Sequence, residues 1–331
     1  MFGMQSIKVQ KMDESKIYTF DSTMGFWGIP NIRRKIQFEQ RPNVDIEVAH
    51  NDQGLRDAPF NPSDPKGTIL CIGGSHTWGG GVAQEERYTD LLARRTGRQV
   101  VNMGHCSLGI DQAALAILKL SRQYNPETIV VEQYPWAVVR ILRGCVNKEY
   151  VKPSFFLDQN GQLKLNKIPW AARFPLLRKL IGLFYTYLKE LREFREGIDL
   201  HEGYDPLADP MFLYWKISQY DYLYALLEKI ILMINDYCTQ NRIHLLFTLG
   251  VAQQRFNGSG KSRLVDYDLP RKRLRNILDK SGIAYVDMAD VMLEEHSDAD
   301  PVIFNDGHIN LKGHRIFATA LQRGLEARGW I

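Results

Sequence analysis

The sequence is poor in the features that mark specialised protein classes. Cysteine occurs only four times in 331 residues, at Cys71, Cys106, Cys145 and Cys238, with no CxxC spacing. That excludes a disulfide-built scaffold and a thiolate metal knuckle. Three of the four lie in or beside apolar runs, where a thiol behaves as a small hydrophobe, so buried, reduced cysteines are expected. Charge of one sign is also scarce, with 42 Lys and Arg against 38 Asp and Glu, a net +4 that argues against a nucleic-acid partner unless the cations cluster. No stretch reaches the ~18 uninterrupted apolar residues of a spanning helix, and the first twenty residues lack the apolar core of a leader, so the expected location is cytoplasmic. Internal repeats, low-complexity tracts, HExxH, GxxxxGK[ST] and a completed GxGxxG are absent, which removes the best-marked metal and phosphate sites. No metal and no cofactor is expected.

What is present is an ordinary globular balance, 44% hydrophobic and 24% charged, enough to bury a sizeable core. Five short segments at 68–72, 99–103, 128–133, 244–249 and 284–288 are nearly continuous in apolar character, as strands covered on both faces are. Apolar residues recur at helical spacing after Gly81 (Tyr88, Leu91, Leu92), over 110–124, 220–238, 269–278 and 311–325. Strand and helix in alternation imply parallel strands joined by right-handed crossovers. The expected fold is a three-layer α/β/α domain around a five-stranded, doubly wound parallel sheet, with ligands at the carboxyl ends of the strands.

Two regions interrupt the alternation. Residues 1–66 carry turn clusters at 28–31 and 51–54 and read as a loop-rich extension with a few edge strands, leaving 67–331 as the catalytic domain. Residues 141–215 form an insertion after the third sheet strand. It opens with two extended arms around Asn160-Gly161, a hairpin signal. A helical stretch follows at 171–196, apolar nearly all round at its start and net +3. Burial in the core is the default for such a helix; a lid over an acyl pocket and an interfacial membrane helix are the alternatives.

The first sheet strand runs into Gly73-Gly74-Ser75-His76-Thr77-Trp78-Gly79-Gly80-Gly81. Small residues around one serine, between strand and helix, allow a tight turn that presents a hydroxyl at the sheet edge. Free N–H groups at the start of the helix favour negative charge. Near the C-terminus, Asp306-Gly307-His308 follows the last strand, and an aspartate so placed can orient an imidazole whose Nε2 faces a serine. Each element alone is common and usually inert; both at carboxyl ends of one sheet suggest a nucleophile and its base.

These motifs resemble those of the SGNH or GDSL-type hydrolases over most of residues 17–328. The first block of that family is similar to residues 73–79, the second to Asn102-Met103-Gly104-His105-Cys106-Ser107-Leu108-Gly109-Ile110-Asp111-Gln112, and the last to Asp306-Gly307-His308-Ile309-Asn310 with Gly313-His314. Asn51-Asp52-Gln53-Gly54-Leu55-Arg56-Asp57 looks like the segment preceding the catalytic domain in one bacterial branch. The resemblance implies Ser75 as nucleophile, His308 as general base and Asp306 as the residue that orients it. It also implies oxyanion donors from the backbone of Ser75 and of the second block, at Ser107 and Gly104.

The sequence departs from the family pattern at four points. Gly74 stands where an aspartate usually braces the loop, and Ser107 stands where the second block has glycine. Trp136 aligns where the third block supplies an asparagine, leaving Gln133, Asn102 and the Trp136 indole to fill in. The acid-to-base spacing is Asp-x-His, with Asn305 at the position of the longer spacing. Losing one oxyanion donor costs ~100- to 1000-fold in turnover. His76 and His105 flank the expected site as candidate substrate contacts, and Asp287 and Asp290 read as element-terminating residues. The expected activity is hydrolysis of a carboxylic ester, an acetyl ester of a carbohydrate or other small molecule. Acyl transfer through the same acyl-serine is the alternative within that chemistry, and a silent binding protein that keeps the fold is the alternative outside it.

Overall fold

The computed structural model describes residues 17–41, 43–62, 67–146, 150–196, 220–250, 266, 268–295, 302–304 and 307–331. Two antiparallel hairpins come first, β1 (Tyr18–Asp21) with β2 (Gly25–Gly28) and β3 (Arg33–Gln37) with β4 (Asp45–Ala49). The sequence suggested edge strands; these four pair only with one another and stay outside the main sheet. The first turn closes because Asp21 Oδ1 accepts the N–H groups of Thr23 and Met24 at 2.8 and 2.7 Å. Ile17, Tyr18, Phe26, Ile46, Val48 and Leu55 of this region are buried in the same core as the sheet.

The main chain of the fold then alternates as the apolar runs predict. β5 (Thr68–Ile72), α1 (Ser75–Trp78), α2 (Tyr88–Thr96), β6 (Gln99–Asn102), α3 (Ile110–Leu120) and β7 (Pro126–Gln133) precede the insertion. The insertion holds a hairpin, β8 (Ser154–Leu157) with β9 (Leu163–Asn166), and α4 (Pro175–Glu196). After it come α5 (Asp221–Gln240), β10 (His244–Leu249), α6 (Leu269–Lys280), β11 (Ala284–Asp287), α7 (Met288–Glu295) and α8 (Leu311–Glu326).

The five sheet strands are parallel in the order β11-β10-β7-β5-β6. Alternate residues of β5 separate the two faces. Leu70 and Ile72 join a core with α3, α5 and α6, whereas Ile69 and Cys71 join a second core with α2, α7 and α8. Helices cover both faces, giving the expected three layers. Because β6 lies to one side of β5 and β7 to the other, the strand order reverses between β5 and β7, and a crevice opens there at their carboxyl ends. The sequence patterns predict no helix at α7. It follows β11 directly, and Asp287 and Asp290 at that junction pair with Arg271 and Arg275 of α6.

The 51–57 segment ties the extension to the crevice. Asn51 Oδ1 accepts the N–H groups of Gln53 and Leu55 at 3.1 and 3.0 Å, which fixes a turn. Arg56 is buried and reaches across to the end of α1, donating to the carbonyls of Trp78 at 3.2 Å, Gly79 at 2.7 Å and Val82 at 2.8 Å. Its guanidinium also lies 4.6 Å from the Trp78 ring centre. Asp57 accepts the N–H of Asn102 at 2.8 Å, at the end of β6. The extension therefore braces the loop after Ser75. Replacing Arg56 by Ala takes a donor from three buried carbonyls, of which Gly79 O keeps only the Val82 N–H at 3.4 Å, and we expect it to lower stability by about 3 kcal/mol in urea unfolding.

Candidate active site

Ser75 is the first residue of α1, directly after β5, and its Oγ lies 2.8 Å from His308 Nε2. His308 sits in a loop closed by the Ile303–Ile309 bridge and by the Phe304 N–H donating to the His308 carbonyl at 2.6 Å. Its imidazole packs on bare backbone: a Cβ at Gly80 would stand 3.1 Å from His308 Cδ2. Serine and histidine, 233 residues apart, thus meet at the reversal between β5 and β7. Asp306 and Asn305 lie outside the described residues.

The crevice is lined by Gly73, Gly74, Ser75 and His76 on one side, Leu108 and Gly109 on another, and Glu132, Gln133, Tyr134, Arg140 and His308 around them, with about 80 Å³ of free volume. Glu132 and Arg140 carry no motif, yet both bear on the serine turn. Glu132 Oε2 accepts the Gly74 N–H at 2.9 Å and the Thr77 hydroxyl at 3.3 Å. Thr77 Oγ1 in turn is 2.9 Å from Tyr88 Oη. A side chain at Gly73 would collide with the same carboxylate. Burial pushes the Glu132 carboxyl above the usual range, opposed by the Gly74 N–H and by the charges of Arg140 and His308. The brace missing at Gly74 is therefore supplied by the neighbouring strand. The signal for it in the sequence is one acid in the otherwise apolar run 128–133. Arg140 donates to the Leu108 carbonyl at 3.0 Å, linking the segment after β7 to the second motif.

The oxyanion candidates separate. The Gly104 N–H is held by Asn102 Oδ1 at 2.9 Å, and the Asn102 amide donates to Thr77 O at 2.6 Å and Thr89 Oγ1 at 2.9 Å. The Gly104 N–H closes a local turn on Asn102, and the Asn102 amide fastens β6 to α1 and α2; neither group donates into the crevice. Trp136 is buried beside the crevice and does not line it. Gln133 lines it, with Nε2 donating to Tyr134 O at 2.7 Å. Ser107 has φ of 63°, the left-handed conformation a glycine would take there, and serine keeps it. Ser107 lines a neighbouring cavity with Arg140, Arg143 and Lys152, and not the Ser75 crevice. The first N–H groups of α1, beginning with Ser75, have no carbonyl one turn earlier.

The two flanking histidines differ. His76 lines the crevice, its ring 5.4 Å from that of His308 and 5.1 Å from that of Tyr134. His105 does not: it is buried 3.9 Å from Trp27, accepting the Gly28 N–H on Nε2 at 3.3 Å while Nδ1 faces Met103 O at 3.2 Å. It is a strut between the extension and β6. His314 is likewise structural, its Nδ1 accepting the Tyr88 N–H at 3.2 Å, and Asn310 caps α8 by accepting from Lys312 and Gly313. Among the described residues no group of three His, Cys, Asp or Glu is placed to hold a metal.

The sheet order, the serine after the first sheet strand and the histidine before the last helix lie together. The chain has a three-layer α/β/α fold, with serine and histidine placed as the resemblance to the SGNH/GDSL-type hydrolases implies. No family model matches the sequence, and no curated protein matches it. Among solved structures it is similar to a member of the lipolytic protein G-D-S-L family from Veillonella parvula, at 13% identity over 80% of this chain and 99% of that one, with a TM-score of 0.43. It is also similar to the lipase/acylhydrolase from Enterococcus faecalis, at 12% identity over 79% of this chain and 96% of that one, with a TM-score of 0.44. At such identities no activity passes from them to this chain.

Burial holds the His105 pKa down at about 3 and that of His50 at about 4. An unfolded histidine takes its proton near 6.5, so the neutral ring stabilises the fold above that pH, and this contribution is lost as pH falls from 6.5 toward 3. We expect His105→Gln to flatten the acid side of the stability profile by about 1.4 kcal/mol per pH unit between pH 6 and pH 4, read by urea unfolding at each pH.

Proposed function

We propose that the chain is a serine esterase acting on short-chain carboxylic esters, with acetyl as the acyl group and a polar alcohol such as a carbohydrate as the leaving group. The observation that carries this reading is the 2.8 Å hydrogen bond between Ser75 Oγ and His308 Nε2 at the strand-order reversal. As Oγ attacks the ester carbonyl carbon, its proton passes to Nε2. The tetrahedral intermediate collapses, the C–O bond to the alcohol breaks, and His308 returns the proton to the departing oxygen. Water then gives a proton to His308 and attacks the acyl-Ser75, releasing the acid and restoring the serine. In this reading Asp306 holds the imidazole Nδ1–H, and the N–H of Ser75 at the start of α1 takes the oxyanion. The free volume of about 80 Å³ supports a short acyl chain, and Arg140, His76 and Gln133 support a polar alcohol.

Two substitutions test the assignment. Ser75→Ala is expected to abolish hydrolysis of p-nitrophenyl acetate and labelling by a fluorophosphonate; equal rates for wild type and variant remove the nucleophile. Glu132→Gln keeps the shape and replaces the carboxyl group beneath the turn. We expect kcat to fall about tenfold to a hundredfold with KM nearly constant and the melting temperature maintained, because a misplaced nucleophile loses rate before binding. A change confined to melting temperature would make Glu132 structural only.

A further inference from the structure

α4 presents its apolar side outward. Of the twelve large hydrophobic side chains exposed among the described residues, nine lie between 170 and 188: Trp170, Phe174 and seven from α4. On a helical wheel those seven, Leu176, Leu177, Leu180, Leu183, Phe184, Tyr187 and Leu188, fall within an arc of roughly 140°. The face turned to the protein is made of small and polar groups: Gly182 and Thr186 contact Cys145, and Tyr185 packs on Gly144. Of the alternatives for this helix, burial in the core fails on that orientation. The lid reading fails on location, since no residue of α4 lines the Ser75 crevice.

Along the exposed stripe, up to Leu188, the charge has one sign, and Glu190, Glu193 and Glu196 follow only in the last two turns of the helix, among Lys189, Arg192 and Arg195. Residues 159–188 contain Lys164, Lys167, Arg173, Arg178 and Lys179 and no Asp or Glu. Lys164 pairs with Asp158 at 3.6 Å, and Arg178 lies over the Phe20 ring. Lys167, Arg173 and Lys179 have no ion-pair partner among the described residues. Lys167 and Arg173 line, together with Lys119 and the exposed Trp170, a cavity of about 280 Å³ at the foot of the helix. An outward apolar stripe, an aromatic residue at its edge and a cationic hollow beside it match an interface of acyl chains and anionic headgroups.

We propose that α4 is a peripheral membrane anchor that lies in the plane of an anionic phospholipid surface, its leucine and phenylalanine side chains among the acyl chains and a lipid phosphate in the hollow of Lys119, Lys167 and Arg173. No helix among the described residues is long and apolar enough to cross a membrane, so the attachment is to one leaflet. The anchor is independent of the chemistry at Ser75, and Ser75→Ala is expected to bind lipid as the unaltered chain does.

The test is flotation of the full chain with vesicles of phosphatidylcholine containing about 30% phosphatidylglycerol, and with phosphatidylcholine alone. The chain is expected to float with the anionic vesicles and to bind the neutral ones at least ~5-fold less well. Leu180→Glu with Phe184→Glu should abolish flotation, and Lys167→Glu and Arg173→Glu should each weaken it ~5-fold, all with an unchanged melting temperature because these positions are exposed. The proposal is overturned if the chain does not float, or if Leu180→Glu with Phe184→Glu floats as well as the parent. It is also overturned if the lipid-free chain is a dimer that this double variant turns into a monomer, which would assign the face to a second copy.

Discussion

A single hydrogen bond between Ser75 and His308 places the heaviest demand on this structure, because its two ends belong to opposite ends of the chain and must be held to a few tenths of an ångström. The parallel sheet brings β5 and the loop before α8 to the same edge. Local fasteners do the rest. Glu132 holds the turn before Ser75 from the neighbouring strand, Arg56 holds the loop after it from the extension, and Gly80 gives the imidazole bare backbone to rest on. His314 and Asn310 fix the start of α8 and so the loop that carries His308.

Seen this way, the departures in the sequence are not all losses. Gly74 lacks a side chain to brace its own loop, but the Glu132 carboxylate occupies the adjoining space and takes the Gly74 N–H. Burial raises the cost of ionising that carboxylate, and the nearby charges of Arg140 and His308 lower it. Ser107 keeps the backbone conformation of the glycine it replaces.

Much of the fold was legible because continuous apolar strands and helical spacing report directly on burial. The five sheet strands and the helices between them fall where those patterns put them. Ser75 and His308 were legible because their surroundings are short and stereotyped. Three things were not. α7 follows β11 without a loop, so no turn residues announced it, and the ion pairs of Asp287 and Asp290 involve α6 residues that sequence spacing does not connect. The second motif offers Gly104 and Asn102 as donors into the crevice, yet the Gly104 N–H closes on Asn102 and the Asn102 amide ties β6 to α1 and α2, contacts visible only in three dimensions. His105, within the second motif, flanks the expected site and so suggests a substrate contact, but the chain turns its ring toward the extension. Helix 175–196 shows the converse limit: its composition suggested burial, and only its orientation reveals the apolar side as the outer one.

The central claim is that Ser75 is a nucleophile that carries the acyl group. The most direct measurement is to mix the protein with p-nitrophenyl acetate, quench in acid within the first turnover and sequence the peptides by mass spectrometry. One acetyl group on Ser75, absent from the Ser75→Ala variant and lost on longer incubation at neutral pH, is the predicted result. Hydrolysis of the ester with no acetyl on Ser75 at any time, or acetyl on another residue that turns over at the same rate, would contradict it.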